Sequence, residues 1–161
     1  MTGRTPATQP PVDDDPDIPG EEIVYRRLAY DGDSAWVVRD QITGARVKPA
    51  SGAFDPDPDG VSVFRRSILA EQDPPLGPGN LVVDPRNSVV GFTVADLRSI
   101  RLGVRDDPWP EDVSDPKNPI YAAHALIKGL NELGTNQLKK RRKALSELPS
   151  MAFAHVPSLS R

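Results

Sequence analysis

The sequence contains no cysteine and only two histidines. The first absence excludes disulfide bridges, thiolate zinc sites and a cysteine nucleophile, and the second argues against a histidine-rich metal site. We therefore predict no metal and no other cofactor. No apolar run approaches the roughly 18 residues of a membrane helix, and residues 1–20 lack the apolar core of a secretory signal. These features predict a cytoplasmic protein without membrane contact.

The chain is also poor in apolar residues, at 37%, and rich in proline, with 18 residues. Five prolines and four aspartates fall within residues 1–20. Such a composition cannot bury enough surface to offset its ordering entropy, so residues 1–21 are predicted to be a disordered acidic tail. The aspartates at 13–17 lack the spacers and glycine of a calcium loop. We expect a single domain over residues 22–148 and a coil over residues 149–161.

The two signs of charge are separated along the chain. Residues 1–60 contain six basic and twelve acidic side chains, whereas residues 116–161 contain eight basic and two acidic ones. A basic end on an acidic protein is typical of nucleic-acid contact, of an acidic partner or of intramolecular docking. A solvated helix face explains the same pattern, because lysine-rich helix surfaces are common.

Short apolar and β-branched stretches, bounded by proline, glycine and aspartate turns, predict about five strands. They lie within residues 22–30, 36–39, 61–64, 81–83 and 88–92, and residues 45–47 offer a further strand as a partner of 36–39. Residues 64–69 also fit a short helix, and residues 105–117 are predicted to form a polar loop.

Helices are predicted mainly in the second half of the chain. Thr93 is a suitable N-cap, with Asp96 at the third helical position and Gly103 beyond the helix end. The clearest helical pattern begins at Asn118-Pro119 and ends near Gly134. A further helix is expected from Thr135 to Leu148. This order favours an α+β fold, with a mainly antiparallel sheet of about five short strands covered by two or three C-terminal helices.

His124 is the most prominent candidate for chemistry, although a histidine at the border of an apolar helix face is more often a hydrogen-bonded core residue than a base. Its possible partners are Arg26, Arg27, Ser51 and Ser62. Ser51 does not lie in a nucleophile elbow and Ser62 lies within a predicted strand. The two arginines point to opposite faces of a strand, so one is half buried and needs a carboxylate. Neither an orienting acid nor an oxyanion hole is identifiable.

The strongest local charge feature is a run of five cations in the last predicted helix. Its members are Lys139, Lys140, Arg141, Arg142 and Lys143. Five consecutive residues span about 500° around a helix axis, so the cations ring the helix and the two arginines lie near its apolar stripe. This pattern differs from a recognition helix, whose base-contacting and core faces are separate. It is compatible with non-specific phosphate contact.

Four short blocks resemble those of an uncharacterised family of small bacterial proteins. The blocks are Val24-Tyr25-Arg26-Arg27, Ser51-Gly52-Ala53-Phe54, Val61-Ser62-Val63, and a last one from Asn118-Pro119 through His124-Ala125-Leu126-Ile127-Lys128-Gly129. Members of this family occur in toxin–antitoxin-like or defence neighbourhoods. The resemblance implies that Arg26, Ser51, Ser62 and His124 form one cluster, and it assigns no activity. Here extra residues separate the proline and the histidine of the last block.

A second resemblance is to ADP-ribosyltransferases, which begin with an arginine-bearing strand and later use a serine-bearing strand. Arg26 and Ser62 match these two features. The catalytic glutamate expected on a later strand is missing, and the nearest acids, Glu71 and Asp73, lie in a predicted loop. The resemblance is therefore an analogy at the level of the fold.

Because no complete catalytic constellation is recognisable, the sequence favours a non-enzymatic partner-binding or accessory module of a bacterial conflict-type system, with an unidentified protein partner. One alternative is a nucleotide-directed transferase or hydrolase, in which Arg26 binds phosphate and Ser62 and His124 act on the substrate. A third hypothesis is non-specific nucleic-acid binding through the basic run at residues 139–143.

Overall fold

The computed structural model describes residues 12–28, 37–43, 46–82, 87–108 and 119–156. Its strands are β1 (Ile23–Leu28), β2 (Val37–Arg39), β3 (Arg46–Pro49), β4 (Val61–Arg65), β5 (Ser88–Thr93), β6 (Gly103–Asp106), β7 (His124–Lys128) and β8 (Ala152–His155). Its α-helices are α1 (Arg66–Ala70), α2 (Val94–Ser99) and α3 (Thr135–Leu145). Three 3₁₀ helices span Ser51–Phe54, Pro78–Leu81 and Pro119–Ala123. No helix in these ranges is both long and apolar enough to cross a membrane.

Six strands form one antiparallel sheet in the order β6-β7-β4-β1-β5-β8, and β2 pairs separately with β3. The predicted α+β class with a mainly antiparallel sheet is thus confirmed. Side chains alternate between the two faces of the sheet. The first face includes Val24 and Val63 and packs with α2 and α3, whereas the second face includes Tyr25 and Phe64 and packs with α1.

The helix predicted over residues 118–134 is the largest error of the sequence analysis. A 3₁₀ helix covers Pro119–Ala123, and β7 then runs between β4 and β6. The first four residues of β7 are all buried, because a central strand is covered on both faces. The three residues that follow His124 in β7 are all apolar, so spacing alone does not distinguish this segment from a helix. Asn118, the predicted cap, lies outside the described residues.

Helix α2 is capped as predicted, because the Thr93 hydroxyl accepts a hydrogen bond from the Asp96 backbone at 3.2 Å. The Asp96 carboxylate does not return to the cap, since it accepts instead from the Ser150 backbone at 2.8 Å. Gly103 does not end this helix. It begins β6, and Arg101 adopts the positive φ of 66° after α2.

Two further segments differ from the predictions. Leu81 ends a 3₁₀ helix and belongs to no strand, while Val83 lies outside the described residues. The predicted C-terminal coil contains β8, which pairs with β5 and so extends the sheet by one strand. The loop predicted to begin at residue 105 begins two residues later, at residue 107, because β6 continues to Asp106. The edge strands β6 and β8 have only four residues each, which weakens their sequence pattern.

Part of the predicted acidic tail, residues 12–21, packs along the edge strand β6. The Val104 backbone donates to the Asp14 carboxylate at 2.9 Å and accepts from the Asp15 backbone at 2.9 Å. The Ile18 side chain is only 2% exposed and joins the core of the first face. Arg98 pairs with Asp14 at 3.1 Å. These contacts satisfy the edge of β6 and bury one large side chain, while residues 1–11 lie outside the described part.

Candidate functional site

Ser62 and His124 meet on the second face of the sheet, on the neighbouring strands β4 and β7. In the β4–β7 ladder Phe64 stands opposite His124 and Ser62 stands opposite Leu126. This register makes Ser62 and His124 diagonal neighbours with side chains on one face. The Ser62 Oγ and the His124 Nε2 are 3.1 Å apart, within hydrogen-bond distance. Two of the residues singled out in the sequence therefore form a direct pair.

The other ring nitrogen of His124 contacts Asp107, the first residue after β6. Its Nδ1 lies 2.9 Å from the Asp107 carbonyl oxygen and 3.2 Å from the Asp107 Oδ2. Both of these groups are acceptors, so the hydrogen-bond network assigns the proton to Nδ1. Nε2 is then unprotonated and accepts the hydrogen bond of the Ser62 hydroxyl.

His124 is 2% exposed, and the Phe64 ring packs edge-on against it with centroids 5.5 Å apart. Burial lowers the pKa of His124 below its ordinary value, and the nearby positive charge of Arg27 lowers the pKa further. Hydrogen bonds and the negative charge of Asp107 oppose this decrease in pKa. Since the ordinary histidine pKa is about 6.5, the imidazole is neutral at physiological pH and able to accept a proton.

Asp107, His124 and Ser62 thus form a continuous chain of an acid, an imidazole and a hydroxyl. In serine hydrolases the same three groups act as orienting acid, general base and nucleophile, and they are recognised by geometry on unrelated folds. The Asp107 side chain is 47% exposed and Ser62 is half-buried. Both ends of this hydrogen-bond chain, Asp107 and Ser62, are therefore partly accessible to solvent, while the central imidazole of His124 is protected from water.

Arg26, in contrast, belongs to the first face of the sheet. Its Nε donates to the Ala53 carbonyl at 3.1 Å and its Nη1 donates to the Ser62 carbonyl at 2.9 Å. Burial lowers the pKa of Arg26 to about 10, against the opposing charge of Asp57, so the guanidinium remains positive at neutral pH. Arg26 touches the backbone of Ser62 from the side opposite to the hydroxyl. This placement favours a structural role over the predicted binding of phosphate.

Ser51 begins the 3₁₀ helix that ends at Phe54, and it is half-buried. Among the described residues no hydrogen bond joins Ser51 to Ser62 or His124. Of the four residues in the cluster that the family resemblance implies, Arg26 and His124 each contact Ser62, from opposite faces of the sheet, and Ser51 lies apart.

The basic run in α3 divides into two groups. Arg142 pairs with Asp55, and Arg141 makes a long contact of 3.5 Å with the Arg101 carbonyl, so both arginines turn towards the body of the protein. The remaining cations are exposed: Lys139, Lys140 and Lys143. The predicted position of the arginines near the apolar stripe agrees with these contacts.

Sequence reasoning missed Asp107, because it was placed in a predicted loop. A polar network holds the adjacent residue: Arg65 binds both oxygens of Asp106, at 2.8 and 2.9 Å. Arg65 also pairs with the buried Glu22 at 3.1 Å. The network secures the end of β6 and thereby the position of Asp107. The only local indication was the Asp-Asp-Pro turn that follows a valine-bearing stretch.

No protein-family model, curated protein or solved structure matches the chain. The function of the chain is therefore inferred from the hydrogen-bond geometry and charge of the site. The two family resemblances described for the sequence stay predictions.

Proposed function

We propose that the chain is a hydrolase or acyl transferase in which Ser62 is the nucleophile, His124 is the general base and Asp107 orients the imidazole. The observation that supports this proposal is the hydrogen-bond chain, with 3.1 Å from Ser62 Oγ to His124 Nε2 and 2.9 Å from His124 Nδ1 to the Asp107 carbonyl. Nucleophile and base at this separation, with the proton on Nδ1, are the arrangement that acyl transfer requires.

In the first step the Ser62 Oγ attacks the carbonyl carbon of an ester while its proton passes to His124 Nε2. The resulting tetrahedral adduct collapses, the bond from carbon to the alcohol oxygen breaks, and His124 returns the proton to that oxygen. Water or a second alcohol then attacks the acyl-Ser62 carbonyl and gives its proton to Nε2. Cleavage of the bond to Ser62 Oγ regenerates the hydroxyl, with the proton supplied by His124.

A fluorophosphonate probe tests this proposal without knowledge of the substrate, because an activated serine displaces fluoride and retains the phosphonyl group. We expect stoichiometric labelling of the intact protein, located at Ser62 by peptide mass spectrometry. Ser62→Ala should abolish the labelling, and His124→Gln should slow it by about 10²-fold or more. Ser51→Ala, a serine outside the site, should label like the wild type.

Unlabelled wild-type protein, or labelling that His124→Gln leaves unchanged, would contradict the assignment. Circular dichroism of each variant separates loss of the nucleophile from loss of the fold. A folded His124→Gln protein that still labels at the wild-type rate would show that His124 is a structural histidine.

A partner-binding or accessory module is the second candidate function, and the exposed end of the β2–β3 ribbon favours it. Ile42 is 95% exposed there. The Asp40 carboxylate accepts hydrogen bonds from the Ile42 and Thr43 backbones, each at 2.8 Å, which holds the turn in shape. An exposed apolar side chain on a hydrogen-bonded turn suits an anchor for another protein, and an accessory role in a bacterial conflict-type system fits such a contact.

A quantitative pull-down at physiological salt tests this second candidate with Ile42→Asp as the variant and Val38→Asp as a neighbour on the same ribbon. A stoichiometric protein partner that Ile42→Asp loses would support it. Equal recovery by the wild type and Ile42→Asp would exclude Ile42 as the anchor.

Non-specific nucleic-acid binding stays a third proposal, supported by the three exposed lysines of α3. Three phosphate contacts predict that the logarithm of the binding constant falls with the logarithm of salt concentration with a slope of about −3. The triple variant with Lys139, Lys140 and Lys143 changed to glutamine should lose both the binding and the slope in fluorescence anisotropy. Binding that the triple variant retains in full would remove α3 from consideration.

A further inference from the structure

Arg27 lies on the same face of the sheet as Ser62 and His124. The paired residues Tyr25 and Phe64 lie on this face, and Arg27 and Ser62 are each two residues away from them along β1 and β4. The guanidinium carbon lies 5.8 Å from the centroid of the Phe64 ring. That ring also contacts the imidazole of His124. Arg27 is therefore part of the surroundings of the Ser62–His124 pair.

The guanidinium of Arg27 differs in its partners from four other arginines of the described residues. Its Nη1 donates to the Leu81 carbonyl at 3.0 Å, and no carboxylate within the described ranges pairs with it. Four other arginines do pair with carboxylates: Arg65, Arg98, Arg105 and Arg142. Arg27 is half-buried, and a partly desolvated cation without a counter-ion is unfavourable. One carbonyl occupies one of its five N–H donors, so the fork can still engage a ligand.

We infer that Arg27 binds an anionic group of the substrate, a phosphate or a carboxylate, beside the Ser62 hydroxyl. This inference rests on the proposed function and adds a substrate class to it. The planar fork of arginine matches the paired oxygens of both groups. Contact with Phe64 and the bond to Leu81 restrict the orientation of the fork before the ligand arrives, which reduces the entropy lost on binding.

Anion binding is measured with sulfate as the phosphate-like probe and acetate as the carboxylate probe, at constant pH and with chloride keeping ionic strength constant. The readout is the shift of the His124 ring signals in NMR spectra. Ser62→Ala serves as the parent protein, so no covalent chemistry contributes. We expect a saturable shift with one of the two probes, and the tighter probe identifies the anionic group.

Arg27→Gln should weaken binding of that probe by about 10- to 100-fold, because a hydrogen bond to a charged group contributes about 1.5–3 kcal/mol. Arg27→Lys, which preserves the charge, should keep part of the affinity. Arg66→Gln, an exposed arginine at the start of α1, is the matched control and should bind like the parent.

No saturable shift with either probe, or equal binding by the folded parent and Arg27→Gln, would overturn the inference. This result is distinguishable from failure of the proposed function. Anion binding without fluorophosphonate labelling would leave Arg27 as a ligand site and remove Ser62 as a nucleophile, whereas labelling without anion binding would do the reverse.

Discussion

His124 couples the stability of the protein to pH. Its pKa in the folded state is lowered by burial, whereas the unfolded chain has the ordinary value of about 6.5. Between these two pKa values the unfolded state binds more protons than the folded state. The free energy of unfolding therefore rises with pH, by up to about 1.4 kcal/mol per pH unit. The contribution of His124 is complete above pH of about 6.5 and is lost as the pH falls towards the folded-state pKa.

Replacement of His124 by glutamine should remove this slope and also lower the stability at higher pH. The glutamine amide can keep one of the two hydrogen bonds, so the other is lost at a cost of about 0.5–1.5 kcal/mol. The edge-on contact with Phe64 contributes a further 0.5–1.5 kcal/mol or so. We expect a loss of about 1–3 kcal/mol at pH near 8, and a smaller loss at pH near 5, where the wild type has lost the contribution of the neutral ring.

Urea unfolding followed by circular dichroism, between about pH 5 and pH 8, measures both effects. His155→Gln is the control, because His155 is the other histidine and lies half-buried in β8. Parallel pH profiles for the wild type and His124→Gln would refute the argument. That result would mean that the imidazole binds a proton as readily in the folded protein as in the unfolded chain.

Three further outcomes follow from the packing and from the site. Ile18→Ala should lower the free energy of unfolding in urea by about 2–5 kcal/mol. The control Glu21→Ala, at an exposed position of the same segment, should lower it by about 0.5 kcal/mol or less. Equal losses for the two variants would mean that the N-terminal segment is undocked. Gly103→Ala should lower the free energy of unfolding by about 1–3 kcal/mol, because an added Cβ would lie 2.6 Å from the Cβ of Asp14 in that segment. An unchanged melting temperature would contradict this. Asp107→Asn should slow fluorophosphonate labelling by only about tenfold, which is less than the effect of His124→Gln. The reason is that the backbone carbonyl of residue 107 still accepts a hydrogen bond from His124 Nδ1. Complete loss of labelling would show that the carboxylate itself is essential.

Several elements were predictable because their determinants lie within a few residues. The apolar residues Ile23, Tyr25 and Leu28 among charged neighbours identified β1, and the Thr93 hydroxyl identified the start of α2. The helix beginning at Thr135 was also predicted, although it ends at Leu145. In each of these cases the residues that stabilise the element are neighbours along the chain, so their spacing is sufficient information.

Strand β7 was not predictable by the same reasoning. Its central residues, Ala125, Leu126 and Ile127, are apolar on both faces because β4 and β6 flank the strand and both faces are covered, and this arrangement is a property of the assembled sheet. The packing of residues 12–21 against β6 was not predicted for a related reason. Its low apolar content indicated disorder, yet the free edge of β6 and the charge of Arg98 stabilise it.

The sequence by itself determined that Ser62 and His124 were candidates for chemistry, that Arg26 and Arg27 point to opposite faces, and that the fold combines a sheet with later helices. Only the tertiary structure decided which of these residues meet. Ser62 and His124 are 62 positions apart, and His124 and Asp107 are 17 apart. Such contacts depend on strand order and register, which arise from burial of the whole sheet and leave no trace in local spacing.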